Sequence, residues 1–281
     1  MKKILVPTDF SENAYNALIY ASRLFEKKPC IIYILHSIEV EASRLTSLVD
    51  ISQSKEILDA LYDESDSKCE EVKARLIEDT RGCGHKFDVI STAMSLPRAM
   101  NRICIQRKVD FVVMGTKGRT GAKEVILGSN TIKVIDRIKK TPVLVVPPNA
   151  VFQFIELMAF PTSFEKEYHP SDLDALLYLA KLHNSEIKVL HVREHEIITD
   201  TQRKNLDALM NLLSDIQCNI EWLESNFGIT TTLSYFVDNH NVDLLAIIYY
   251  KHNFIVQLFR ESIVKKIGRR PSTPYLVIPA S

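Results

Sequence analysis

The chain has 281 residues, 46% hydrophobic and 25% charged, which suits one or two globular domains with a full apolar core and excludes a disulfide miniprotein or a wholly disordered chain. Lysine plus arginine and aspartate plus glutamate each total 35, so no overall positive field exists to collect nucleic acid or an anionic membrane. Cys30, Cys69, Cys83, Cys104 and Cys218 show no C-x-x-C pair and no zinc spacing, and no apolar run reaches the ~18 residues of a membrane span, so a reduced, cytoplasmic protein is expected.

In chain order, short apolar runs alternate with stretches of helical period. Strands are predicted at Lys3–Pro7, Ile31–Leu35, Phe87–Ala93, Phe111–Met114 and Val143–Val146, and helices at Ser11–Lys27, Asp50–Arg81, Pro97–Lys108 and Ser129–Lys140. The apolar run opening at Ile4 meets Pro7 and then Asp9, which is too short for a secretory leader. Ser11 suits an N-cap with Glu12 in the first turn, and Pro97 suits the start of a helix. Strands and helices in alternation predict an α/β fold, a parallel sheet covered on both faces.

The second half repeats the first. Ile4-Leu5-Val6-Pro7-Thr8-Asp9-Phe10 returns as Met158-Ala159-Phe160-Pro161-Thr162-Ser163-Phe164, and the helix segment from Ala17 to Leu24 returns from Ala175 to Leu182. Ile34-Leu35-His36 returns as Val189-Leu190-His191, the run from Val109 to Val113 as that from Val242 to Ala246, and Thr141 to Pro147 as Thr273 to Pro279. Five matches in order indicate a tandem duplication. The expected domains are 1–148 and 149–281.

Of eight glycines, Gly115, Gly118, Gly121 and Gly128 fall within 14 residues, where an even scatter would place about 0.4. A glycine-rich exit from a strand lets backbone amides approach a ligand, and Gly128-Ser129-Asn130 opens a helix whose N-terminus favours an anion, so phosphate is the expected guest. Lys117, Arg119 and Lys123 add positive charge. The alternative is that the glycines only build tight turns. No Walker A ending is present and no G-x-G-x-x-G follows the first strand, so any nucleotide site is of another kind. In an open parallel sheet, ligands lie beyond the strand carboxyl ends where the winding reverses, which would set Asp9 and Gly115 facing each other.

Gly115-x2-Gly118-x9-Gly128-Ser129, after Val-Pro-Thr-Asp at the first strand and before Thr-Pro-Val-Leu-Val-Val-Pro at the last, resembles the universal stress protein family over the whole chain as a tandem pair. The resemblance implies two five-stranded sheets of order 3-2-1-4-5, the adenine nucleotide alpha hydrolase-like fold. It further implies ATP or AMP in the first domain, with or without Mg²⁺. Asp9 and the residues near Ser37 would contact ribose and adenine, and Gly115, Gly118, Gly128, Ser129 and Asn130 the phosphates. Pro7, Thr8, Met114, Lys117 and Arg119 complete the expected nucleotide-binding set. The run Met94-Ser95-Leu96-Pro97 departs from the family, many members having a glycine before the proline, which predicts a reshaped adenine side.

The second half has Ser163 at the station of Asp9, Ile248 at that of Gly115, Lys251 at that of Gly118, and Arg260 or Glu261 at that of Gly128, so it is expected to keep the fold without the site. Family members commonly pair through their last strands, which implies an internal pseudo-dimer of the two halves, with a homodimer of chains as an addition. His36 and His191 read as strand-end histidines bonded to backbone, and Cys83, between Gly82 and Gly84, as an alternative site of thiol redox chemistry. No spacing argues for a catalytic triad or carboxylate pair. The functional expectation is a nucleotide-dependent regulatory role in stress response; the rivals are a nucleotide-independent oligomeric scaffold and a slow ATPase.

Overall fold

Each apolar run of the first half becomes a parallel strand in the computed structural model, four of them buried and the run from Phe87 half-buried; the structure describes residues 1–46, 51–116, 128–193, 197–225, 228–250 and 273–280. The chain divides into two units, Met1–Pro148 and Asn149–Ser281. The first runs β1 (Lys3–Thr8), α1 (Glu12–Leu24), β2 (Ile31–Ser37), α2 (Glu39–Thr46), α3 (Ile51–Asp79), β3 (Lys86–Thr92), α4 (Leu96–Arg107), β4 (Phe111–Gly115), α5 (Ser129–Arg137) and β5 (Val143–Val146). Its strands lie in the order β3-β2-β1-β4-β5, all parallel, with Val6 beside Ile34, Leu5 beside Val112 and Val113 beside Leu144. The central strands are near-continuous apolar runs, such as Ile4-Leu5-Val6 and Phe111-Val112-Val113-Met114, because helices cover both their faces.

The second unit repeats the order with β6 (Leu157–Pro161), α6 (Pro170–His183), β7 (Glu186–Arg193), α7 (Asp200–Leu212), β8 (Cys218–Glu224), α8 (Ile229–Asn239), β9 (Leu244–Tyr249) and β10 (Tyr275–Pro279). Its strands lie β8-β7-β6-β9-β10, again parallel. Both sheets therefore have the expected 3-2-1-4-5 order.

Two helix ends and one additional helix differ most from the sequence reading. Helix α1 stops at Leu24 because Phe25 turns inward, fully buried with its ring 5.3 Å from that of Phe111. Helix α5 stops at Arg137, where Ile138 takes extended angles (φ −78°, ψ 121°) and is buried. Helix α2 is absent from the sequence reading; its first turn is anchored where the Ala42 amide donates to the Ile38 carbonyl.

Helix α1 packs with α3, and α4 with α5. Right-handed crossovers place these pairs on opposite faces, since the winding reverses between β1 and β4. That neighbouring pair is held by a carboxylate. Asp110 Oδ2 accepts the Lys3 amide (2.8 Å), its Oδ1 the Lys2 ammonium (2.7 Å), and its own amide donates to the Lys3 carbonyl. Asp243 repeats the clasp, its Oδ2 accepting the Glu156 and Leu157 amides at 2.9 Å each while its amide donates to the Leu157 carbonyl.

The duplication also preserves strain. Phe10 (φ 63°) and Phe164 (φ 58°) both take the left-handed conformation just past the first strand of their unit. A bulky residue adopts it at a cost, here met by amide bonds to Thr8 Oγ1 and Thr162 Oγ1 and by ring contacts on His36 and His191. His191 Nδ1 pairs with the Thr162 carbonyl as a strand-end histidine should, but His36 Nδ1 pairs with the Ser65 hydroxyl (2.8 Å) rather than with backbone.

Among the described residues no helix is long and apolar enough to cross a membrane. Four of the five thiols are buried and Cys218 is half-buried. Burial pushes Cys30 up to about 12 and Cys69, Cys104 and Cys218 to about 11. Cys83 does not have the exposure that redox chemistry would need: it is 4% exposed, and desolvation raises its pKa against the opposing pull of Arg23.

Native Cys30, Cys69 and Cys104 should accordingly react with iodoacetamide at pH 8 about a hundredfold more slowly than in urea, read by peptide mass spectrometry, because almost none of each is thiolate. Asp243→Ala should cost about 2 kcal/mol in equilibrium urea unfolding by stranding two amides, with Asp243→Asn recovering part of the loss.

Candidate functional site

At the carboxyl ends of β1 and β4 the reversal of winding opens a cleft in the first unit, which continues between α4 and α5 to give about 1870 Å³ in all. Pro7, Thr8 and Asp9 enter it from the end of β1, Ser37 from the end of β2, Met114 and Gly115 from β4, and Gly128, Ser129 and Asn130 from the start of α5. Lys117, Gly118 and Arg119, also expected at the site, lie outside the described residues.

The polar groups at the mouth are held in place. Asp9 Oδ1 accepts both the Ser11 amide (3.1 Å) and the Ser11 hydroxyl (2.6 Å), while Ser11 Oγ accepts the Ala14 amide as N-cap of α1. The carboxylate is thereby fixed to the helix start and cannot swing freely. Ser37 Oγ donates to the Met94 carbonyl (2.8 Å), tying β2 to the segment that leads into α4.

The chain leaves β4 and returns at the same place. The Thr116 amide donates to the Val146 carbonyl, the Gly128 amide to the Thr116 carbonyl, and the Thr131 hydroxyl to the Gly115 carbonyl. Gly128 is the N-cap of α5 and has no side chain to cap it, so the amides of the first turn take no acceptor from the N-cap residue. Ser129 and Asn130 are exposed there, and Arg98 and Lys133 stand on the same cleft. An anion is the natural complement of such a helix start.

Sequence reasoning missed several cleft residues. Glu39 and Val40 come from α2, Val40 being 72% exposed, and Arg98 and Asn101 from α4. The signal for Val40 was an apolar residue three positions after the end of β2, which no periodicity marks. The altered run supplies Ser95, Leu96 and Pro97 to the wall. Among the described residues no cluster of three or more His, Cys, Asp or Glu is arranged to hold a metal.

Among the described residues, the end of the first strand of the second unit is bonded by its own side chains. The Thr162 hydroxyl pairs with that of Tyr168, whose pKa burial pushes up to about 12. The Ser163 carbonyl accepts from Gln202 and that of Phe164 from the buried Asn205. Ile248 occupies the Gly115 station, 8% exposed. Lys251, Arg260 and Glu261 lie outside the described residues.

Residues 1–147 match the universal stress protein family. Two universal stress proteins of Methanocaldococcus jannaschii are similar to the chain. One is 34% identical over 157 residues, covering 52% of this chain and 94% of its own; the other is 30% identical over 148 residues, covering 52% and 81%. A universal stress protein structure from Archaeoglobus fulgidus is similar across both units, with a TM-score of 0.68 and 20% identity over 99% of this chain and 98% of that one, which establishes the shared fold. The chain belongs to the universal stress protein family, which its first half matches, and its second half repeats the same fold.

Proposed function

We propose that the first domain binds an adenine nucleotide, ATP or AMP, and that its occupancy adjusts a conformation or interface in a stress response. The observation that carries this reading is the convergence on one cleft of the Asp9 carboxylate, Ser37 and the glycine-capped start of α5. The base would lie between Ser37 and Val40, with the ribose hydroxyls toward Asp9. The phosphates would lie on the amides of Gly128, Ser129 and Asn130, with Gly115, Gly118, Lys117 and Arg119 around them. When bound with a nucleotide triphosphate, Mg²⁺ would neutralise phosphate charge, with Asp9 as the nearest carboxylate of the expected set.

The second domain takes no nucleotide in this reading. Ile248 replaces a glycine, Ser163 replaces a carboxylate, and Tyr168 covers the end of the first strand. Its altered stations suit a retained fold that serves packing or partner contact.

Mg·ATP at 100 times its Kd should stabilise the protein by about 2.7 kcal/mol, provided the unfolded chain does not bind. Gly118→Val should abolish that gain. Ser129→Asp gives an independent check, since a carboxylate in the first turn favours the helix while repelling phosphate, so the variant should melt at or above the wild-type temperature and lose its response to ATP. Melting that is unchanged by millimolar ATP or AMP, with and without EDTA, would refute nucleotide binding. Calorimetric titration should give one nucleotide per chain; a stoichiometry of two would show that the second domain binds by another route.

A further inference from the structure

The two helical faces of the first domain carry opposite charge. On α3, Glu56, Asp59, Asp63, Asp66 and Glu70 recur at alternating three- and four-residue steps, forming one exposed acidic stripe about 21 Å long. Glu70 pairs with Lys73, but Glu56, Asp59, Asp63 and Asp66 make no ion pair among the described residues.

On the opposite face the cleft continues as a groove between α4 and α5, down to the start of β5 at Thr141. Arg98 and Lys108 line it from α4 and the turn after it, about 15 Å apart along the helix, and Lys133, Arg137 and Lys140 line it from α5 and the residues after it. All five are exposed and none makes an ion pair among the described residues. The carboxylates along the groove are Asp136 and Asp110, the latter held by Lys2, while Asp9, Glu39 and Glu41 stand at its cleft end. Each surface also offers one exposed isoleucine: Ile105 in the groove, and Ile77 one heptad beyond Glu70 on the stripe.

The geometry points to a head-to-tail contact in which the acidic stripe of α3 from a second copy of this chain lies along the basic α4–α5 groove. The two surfaces match in sign and in form, a helix ridge against the furrow between two helices. They cannot meet within one domain, because the sheet lies between them. Each exposed pair is weak by itself, so the contact depends on several charges acting together and weakens as salt shortens their reach from about 30 Å at 0.01 M to about 3 Å at 1 M. Stripe and groove are different patches, so one contact leaves the complementary surface of each copy open and the assembly extends or closes into a ring.

Sedimentation velocity of the full chain tests this. At about 20 mM salt the weight-average mass should rise with protein concentration by about twofold or more above its value at about 0.5 M salt. Reversing the groove (Lys133→Glu with Arg137→Glu) or the stripe (Asp59→Lys with Asp63→Lys) should hold each variant at the high-salt mass, with wild-type circular dichroism. Mixing the two variants should restore the low-salt rise, because each then offers the complement of the other's altered surface. Association that survives the reversals, or that mixing fails to restore, overturns the proposal. A wild-type protein that stays at its high-salt mass and instead retains added polyphosphate in the groove, lost on reversal there, also overturns it by assigning the groove to a polyanion.

Discussion

In both domains, a carboxylate just ahead of the fourth strand grips main-chain amides at the start of the first. Asp110 and Asp243 thereby fix which strands are neighbours where the winding reverses. Everything at the site depends on that neighbourhood. It sets the end of β1, with Asp9, beside the end of β4, with Gly115, and leaves the space between α1 and α4 open to a ligand. A buried or half-buried amide left without its acceptor costs more than the bond itself contributes, which explains why the clasp appears in both copies while much of the surrounding sequence has drifted.

The fold was legible because its strands are short, apolar on both faces and bounded by punctuation such as Pro7, Pro142 and Pro147. The repeat exposed the domain plan independently of any motif. The elements that escaped are those whose limits are set by tertiary contact. Phe25 ends α1 by turning into the core beside Phe111, and Ile138 ends α5 by leaving helical angles to bury its side chain. Helix α2 is short and carries Glu39, Glu41 and Arg44 around Val40 and Ala42, a pattern too brief to show a period.

The site was legible in its glycines, its aspartate and its strand ends, which are local in sequence. Its walls were not, because Val40, Arg98 and Asn101 reach the cleft through the placement of α2 and α4 rather than through any spacing. His36 shows the same limit. Its position at a strand end was visible, but its partner Ser65, on α3, is brought there by the fold. The left-handed Phe10 and Phe164 were equally hidden, since neither glycine nor asparagine marks them; each is held by a threonine hydroxyl two residues earlier and a histidine ring across the sheet.

The duplication has left a cleft at the strand ends of the first domain and, at the matching strand end of the second, a Tyr168 hydroxyl bonded to Thr162, so a ligand should act on the two domains unequally. Hydrogen exchange read by mass spectrometry, with and without saturating Mg·ATP, tests that asymmetry directly. Nucleotide in the first cleft predicts slowed exchange at residues 9–12 and 128–132, with residues 162–170 unchanged. Exchange at 128–132 that ignores the nucleotide, or protection that appears at 162–170 instead, would contradict it.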